Sequence, residues 1–191
     1  MQLVFATHNP NKLQEVRSIM PSGIDLLGLT DIGCHEEIPE TSDTIEGNAE
    51  LKAAYVRDHY KLPCFADDTG LLVDELGGAP GVYSARYAGP QKNALDNTRK
   101  LLKELADKED RSAHFKTVIA LALPDHTEFF TGICEGIITE TPRGEKGFGY
   151  DPVFLPDGRS ETFAEMTADE KADIGHRGKA VRALLEYLRS L

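Results

Sequence analysis

AHFKTVIALAL (residues 113–123), PDH (124–126) and TEFFTGICEGIIT (127–139) form the stretch that decides the fold class. The outer segments are rich in β-branched and aromatic residues, and Pro124-Asp125-His126 between them is turn chemistry, so they read as two long strands joined in a hairpin. A hairpin makes its strands antiparallel, whereas strands separated by helices pair in parallel. Both kinds of connection occur here, because the segments on either side of the hairpin alternate between helix and strand.

Toward the N-terminus, residues 93–107 read as a helix whose apolar members are Leu95, Leu101, Leu102 and Leu105. Gly77-Gly78-Ala79-Pro80-Gly81 reads as a loop. Leu71 to Val73 is a short strand candidate, and Leu62 to Ala66 is another that ends on Asp67-Asp68-Thr69-Gly70. Asp43-Thr44-Ile45-Glu46 has capping-box spacing and opens a helix to about Tyr60, with Ala49, Ala53, Val56 and Tyr60 at helical intervals. Residues 30–43 are polar and irregular. Strand candidates at 2–6 and 24–29 flank a helix over 9–20 with Leu13, Val16, Ile19 and Met20 on one face. Beyond the hairpin, Gly144, Gly147 and Gly149 mark a glycine-rich loop, and Thr167-Ala168-Asp169-Glu170 again has capping-box spacing. The last helix carries Val181, Leu184, Leu185 and Leu188 at i, i+3, i+4 and i+7. The expectation is an α/β fold with a mixed central sheet, one domain over residues 1–191, built as two lobes that share the sheet with a cleft between them.

At 191 residues, 40% hydrophobic and 28% charged, the composition is that of a water-soluble folded chain, and no apolar run approaches the length of a membrane span. The opening apolar run is too short for a signal peptide and lacks a basic flank, which points to the cytoplasm. Cys34, Cys64 and Cys134 have neither metal-ligand spacing nor a disulfide pattern and read as small core residues. The net charge of −11 argues against a nucleic-acid backbone as partner. A small polyanion remains compatible with it, provided that Lys, Arg and metal are concentrated at one spot.

Three stretches carry such chemistry. After the apolar Leu3-Val4-Phe5-Ala6, the turn Thr7-His8-Asn9-Pro10-Asn11-Lys12 places amide groups and a lysine at a helix start, where anions are favoured. The same residues also fit a plain Asn cap with a solvated lysine. Glu40 and one of Asp67 and Asp68 offer hard oxygen donors without His or Cys, which suits Mg²⁺, or Mn²⁺ in its place, with phosphate oxygens completing the shell. The bland alternative is a set of solvated loop carboxylates. Because neighbours on a strand point to opposite faces, one of the two aspartates is expected to face a site and the other to pair locally. In Gly147-Phe148-Gly149-Tyr150-Asp151-Pro152 the aromatic rings either stack on a planar base, with Asp151 accepting a ring N–H, or belong to the core with glycines making a bend. Arg86 and Lys171 are candidates to neutralise phosphate, and either also fits a surface charge. His176, beside Arg177, also fits a hydrogen-bonded structural histidine.

Taken together, Thr7 to Lys12, Glu40-Thr41 with Glu46-Gly47-Asn48-Ala49, Ala66-Asp67-Asp68-Thr69-Gly70-Leu71, Gly77 to Tyr87, Gly147 to Pro152 and Gly175-His176-Arg177-Gly178 resemble the inosine triphosphate pyrophosphatase family, the XTP/dITP diphosphatases, end to end. The resemblance implies hydrolysis of ITP, dITP and XTP to the monophosphate and pyrophosphate, clearing deaminated purines from the nucleotide pool. It implies an elongated two-lobed α/β fold, Mg²⁺ dependence and a homodimer. It assigns Thr7, His8, Asn9, Pro10, Asn11 and Lys12 to the triphosphate, Glu40 and Asp68 to the metal, and Asp68 also to proton acceptance. Thr69, Phe148, Gly149, Tyr150, Asp151, Lys171, His176 and Arg177 become substrate contacts. His8 stands where many relatives have Gly, and Thr69 where many have Ser. Alternatives with a similar cleft are a pyrophosphatase for modified pyrimidine triphosphates, a nucleotide-binding module that does not cleave, and a metal-dependent phosphomonoesterase.

Overall fold

The computed structural model describes residues 1–190. The chain forms β1 (Gln2–Phe5), α1 (Pro10–Ile19), β2 (Asp25–Gly28), α2 (Ile45–Tyr60), β3 (Cys64–Val73), β4 (Pro80–Gly81), α3 (Ala94–Glu104), β5 (Ser112–Ala122), β6 (Thr127–Ile138), β7 (Phe154–Pro156), α4 (Ala168–Ile174) and α5 (His176–Ser190). The strand order is β2-β1-β3-β5-β6-β7, with β4 paired to β3. β1 is parallel to β2 and β3, while β4 and β7 are antiparallel to their neighbours, so the sheet is mixed as expected. Among the described residues no helix is long and apolar enough to cross a membrane.

The chain divides into two compact units, crossing between them at Asp68–Thr69, Lys116–Thr117, Gly132–Ile133 and Gly175–His176. In the first unit, alternation along the strands builds two cores. Leu3, Phe5, Leu26, Phe65, Ile119 and Leu121 pack with Val16 of α1 and with Ala180, Val181, Leu184 and Leu185 of α5. The intervening residues Val4, Ala6, Cys64, Ala66, Ala120 and Ala122 pack with Ala49, Ala53 and Val56 of α2. Strands covered on both faces are apolar at every position, which is why Leu3 to Ala6 reads as a continuous run. The rings of Phe5 and Phe65, register partners across β1 and β3, stack with centroids 4.7 Å apart.

The second unit has one core, formed by Leu71 and Val73 of β3, Leu101 of α3, Phe115 of β5, Ile138 of β6 and Phe154 of β7, together with Leu105 and Phe163. Phe115 and Phe154 meet edge to face at 4.7 Å. All three cysteines are buried and free.

Several local expectations need correction. β3 does not stop at Ala66 but runs unbroken to Val73, so Asp67, Asp68, Thr69 and Gly70 lie within a strand. Pro80 and Gly81 in the expected loop pair with Leu72 and Leu71. The cap of α2 is Thr44, whose side chain accepts from the Gly47 amide, rather than a box between Asp43 and Glu46. Leu95 is exposed, because it sits in the first turn of α3 away from the stripe that buries Leu101. The box at Thr167 and Glu170 forms as read.

Candidate active site

In the first unit the charged residues are distributed by the pleat of β3. Asp67 shares parity with Phe65 and lies on the side of α1 and α5, whereas Asp68 shares parity with Ala66 and lies on the side of α2. Lys12 of α1 donates from Nζ to Asp67 Oδ1 at 2.9 Å. Arg177 of α5 donates from Nε to Asp67 Oδ2 at 3.0 Å, and its Nη1 pairs with Glu15 of α1. On the α2 side, Lys52 Nζ lies 2.5 Å from Glu40 Oε1 and 3.7 Å from Asp68 Oδ1.

Three cations therefore face four carboxylates around one strand. Burial pushes the Asp67 carboxyl up, but Lys12, Arg177 and Lys52 together outweigh it and hold Asp67 well below the usual carboxylate range. Burial likewise pushes Asp68 up, and there Lys52 and Lys12 do not cancel it against Glu40 and Asp67, so Asp68 stays above its ordinary value. Burial lowers Lys12 against the pull of Asp67, whereas the carboxylates Asp68, Glu40 and Asp67 raise Lys52 in spite of its burial.

At the start of α1, Asn9 is the cap: its Oδ1 accepts from the amides of Asn11 at 3.0 Å and Lys12 at 3.2 Å. Two amides that the turn offers to an anion are thus engaged by Asn9. Thr7 Oγ1 accepts from the Asn9 amide, and Pro10 supplies the first helical residue. His8 bonds through Nε2 to the carbonyl of Glu36 in the loop that carries Glu40. At the other end of the unit, His176 Nδ1 lies 2.7 Å from Thr117 Oγ1, both buried. A methyl group on Gly132 of β6 would collide with the His176 carbonyl, so glycine there allows β6 to pass the start of α5.

The second unit brings together three of its predicted residues, Phe148, Asp151 and Lys171. Lys171 Nζ donates to Asp151 Oδ2 at 2.6 Å, and the same oxygen accepts from the Phe148 amide at 2.9 Å. The lysine sits over the rings of Phe148 at 4.9 Å and Phe163 at 5.3 Å. Gly147, at φ +72°, leaves no room for a side chain against Asp151. Tyr150 belongs to the core and donates to the Ser84 carbonyl at 2.7 Å, which favours the bland reading for that ring. Phe148 is half-buried under Lys171. Gly149 has φ +61° with open space at its α-carbon. Arg86 lies over the Tyr83 ring, and Thr69 is half-buried on β3.

Lys52, Glu15 and Thr117 were not singled out from the sequence. A signal existed for the first two. Lys52 falls at i+3 from Ala49 and i−4 from Val56, and Lys12 and Glu15 precede Val16 and Ile19 at the same intervals. Charges on an apolar helical stripe must find partners when the stripe is buried.

Comparison with known proteins adds an independent line. Residues 3–187 match the model of the Ham1 family. A dITP/XTP pyrophosphatase of Christiangramia forsetii is 61% identical over 188 residues, 98% of this chain and 99% of its own. One of Flavobacterium psychrophilum is 56% identical over 190 residues, covering both chains completely. Among solved structures, a HAM1 protein from Coxiella burnetii matches with a TM-score of 0.91 at 37% identity over the full length of both chains.

Proposed function

The chain belongs to the Ham1 family, and from that premise we propose that it hydrolyses ITP, dITP and XTP to the nucleoside monophosphate and pyrophosphate. The observation that carries the reading is the ring of Lys12, Lys52 and Arg177 with Asp67, Asp68 and Glu40 about one strand of an otherwise acidic protein. The relatives' names supply the substrate class.

Four carboxylates against three cations leave this cluster short of positive charge for a triphosphate, which a divalent ion would correct. Glu40 and Asp68 already share one cation, the Lys52 ammonium, and both offer hard oxygen donors, so they fit Mg²⁺ and accept Mn²⁺. Among the described residues no group of three or more His, Cys, Asp or Glu side chains is arranged to hold a metal, so waters and phosphate oxygens would have to complete the shell of an ion on Glu40 and Asp68. When bound, the ion neutralises charge that develops on the phosphoryl oxygens.

Asp68 takes the proton of the water that attacks the α phosphorus, and the α–β anhydride bond breaks. Burial, which raises Asp68, makes it a better base than an exposed aspartate. Lys12 stabilises the departing pyrophosphate, and the Thr7–Asn11 turn orients it. Asp67 is not a base in this scheme; it fixes Lys12 and Arg177. On the family resemblance we assign Thr69, Arg86, Phe148, Gly149, Asp151 and Lys171 to the substrate, with Tyr150 supporting its neighbours from the core. We assign selectivity to Arg177, with His176 as a further substrate contact. A donor aimed at a 6-oxo oxygen meets an N–H in adenine, and a buried unpaired donor costs about 1–3 kcal/mol.

On the family resemblance we place the protein in the cytoplasm as a homodimer, and three buried thiols outside any disulfide fit a reducing compartment; sedimentation velocity checks the dimer. The deciding experiment incubates the pure protein with ITP, dITP, XTP, dGTP, ATP and a modified pyrimidine triphosphate, with and without Mg²⁺, and identifies both products. Monophosphate and pyrophosphate from the first three, only with metal, are expected. Orthophosphate, binding without cleavage, comparable turnover of ATP, or a preference for modified pyrimidine triphosphates overturns the proposal.

A further inference from the structure

We infer that His8 is a positioning residue: it sets where Glu40 stands relative to the start of α1, by pinning the Glu40 loop at Glu36. The inference rests on the reading of Glu40 and Asp68 as metal ligands.

The loop between Gly33 and the Thr44 cap has no strand or helix of its own, so its placement depends on side-chain bonds. Glu36 is where they converge. Its Oε1 accepts from the Tyr55 hydroxyl at 2.8 Å and the Tyr60 hydroxyl at 3.1 Å, both from α2. Its Oε2 accepts from the His35 amide at 3.1 Å, and its carbonyl receives His8 Nε2 at 2.9 Å. A carbonyl only accepts, so Nε2 carries the hydrogen in this bond. Further along, Lys52 holds Glu40, and the Asn48 side chain accepts from the Ser42 amide at 2.9 Å. α2 therefore grips the loop at three points, and His8 ties the same loop to the Thr7–Lys12 turn.

This gives an exposed histidine a function. A triphosphate gripped by that turn and by a metal on Glu40 requires a fixed distance between the two, and small misplacements of positioned groups are costly. The imidazole meets this need by bonding to protein rather than to substrate.

The test compares the wild type with His8→Leu, which removes the donor, and His8→Gln, whose amide nitrogen restores it. Tyr55→Phe is a second way to loosen Glu36. Three quantities are measured: amide hydrogen exchange of residues 34–42 without nucleotide, Mn²⁺ affinity without nucleotide by electron paramagnetic resonance, and ITP hydrolysis. In His8→Leu the loop amides should exchange severalfold faster and Mn²⁺ affinity should fall about ten-fold, the effect typical of lost partners behind metal ligands. His8→Gln should restore both, and Tyr55→Phe should shift both in the same direction as His8→Leu. Unchanged loop exchange in His8→Leu, or faster exchange with unchanged Mn²⁺ affinity, overturns the inference. A wild type that releases no pyrophosphate while exchange and Mn²⁺ respond overturns the hydrolase reading and leaves this one standing.

Discussion

Asp67 and Asp68 are consecutive on β3, yet their carboxyls are displaced in opposite directions, Asp67 below and Asp68 above the ordinary aspartate value. The pleat sends Asp67 to Lys12 and Arg177 and leaves Asp68 with Lys52, which it shares with Glu40. One residue is fully neutralised by its partners; the other keeps affinity for a proton or a cation. In the proposed mechanism, structural support and chemistry are divided between these neighbours in sequence.

Asp68→Asn separates these roles on the chemical side. The amide keeps the shape of the side chain but loses its basicity and its charge toward a metal. Turnover of ITP should fall by about 10²–10⁴-fold, the usual weight of a positioned acid–base group. The melting temperature should hold or rise slightly, because the ionised carboxylate is disfavoured by burial at this position. Near-normal turnover in this variant would remove Asp68 from the mechanism.

Asp67→Asn should behave in the opposite way. Asp67 is 1% exposed and carries two cations, so neutralising it leaves the part-buried Lys12 and the buried Arg177 without their shared counter-charge. Breaking a buried pair by removing one partner costs about 3–5 kcal/mol, which for a chain of this size lowers the melting temperature by roughly 10 °C. Calorimetry on the two asparagine variants side by side gives the contrast. Equal stability of the two would show that the partners of β3 are misassigned.

These assignments mark where the sequence was readable. β1 and the front of β3 were legible because strands buried on both faces are uninterrupted apolar runs, and the hairpin because two β-branched and aromatic stretches flank turn residues. The continuation of β3 through Asp67-Asp68-Thr69-Gly70 was not, since four polar or small residues read as a loop unless their counter-ions are known. Those counter-ions lie 55 and 110 residues away for Lys12 and Arg177, a separation no local pattern reports. Glu40 and Lys171 are candidates on residue type alone, and only the choice of Asp68 over Asp67 rests on the motif resemblance, while Lys52 and Glu15 were hidden as ordinary helix charges although they interrupt apolar stripes. The Asn9 cap satisfied the bland and the functional reading together, so spacing alone could not separate them.

Glu36 gives a prediction in pH. Its own amide, the hydroxyls of Tyr55 and Tyr60 and the His35 amide favour the ionised form and hold the carboxyl down at about 2, against an ordinary value of 4.5. A carboxylate depressed on folding stabilises the folded state above the unfolded value, and that contribution is lost as pH falls toward the folded one. The stability difference between the wild type and Glu36→Gln should therefore be constant above about pH 5.5 and shrink between pH 4.5 and 2. Thermal unfolding of both proteins across that range measures it. A difference that grows on acidification would contradict the bonding described for Glu36.

Lys171 and Asp151 allow a test of the second unit. Both are buried, and the carboxylate that receives Lys171 also orders the Phe148 amide. Lys171→Met leaves Asp151 without its cation and should cost about 3–5 kcal/mol. Asp151→Asn strands the ammonium and should cost a similar amount. The double variant removes both charges at once, so its cost should fall below the sum of the singles by about 1–3 kcal/mol, the coupling found for residues in contact. Activity should follow a different pattern, because the uncharged pair relieves the stranded charge without restoring a cation over the Phe148 ring. Urea unfolding of the four proteins reads the first effect, and KM for ITP reads the second. Recovery of stability with KM still raised would show that Lys171 contributes to substrate binding beyond its part in holding the loop. Parallel recovery of both would reduce it to a structural cation.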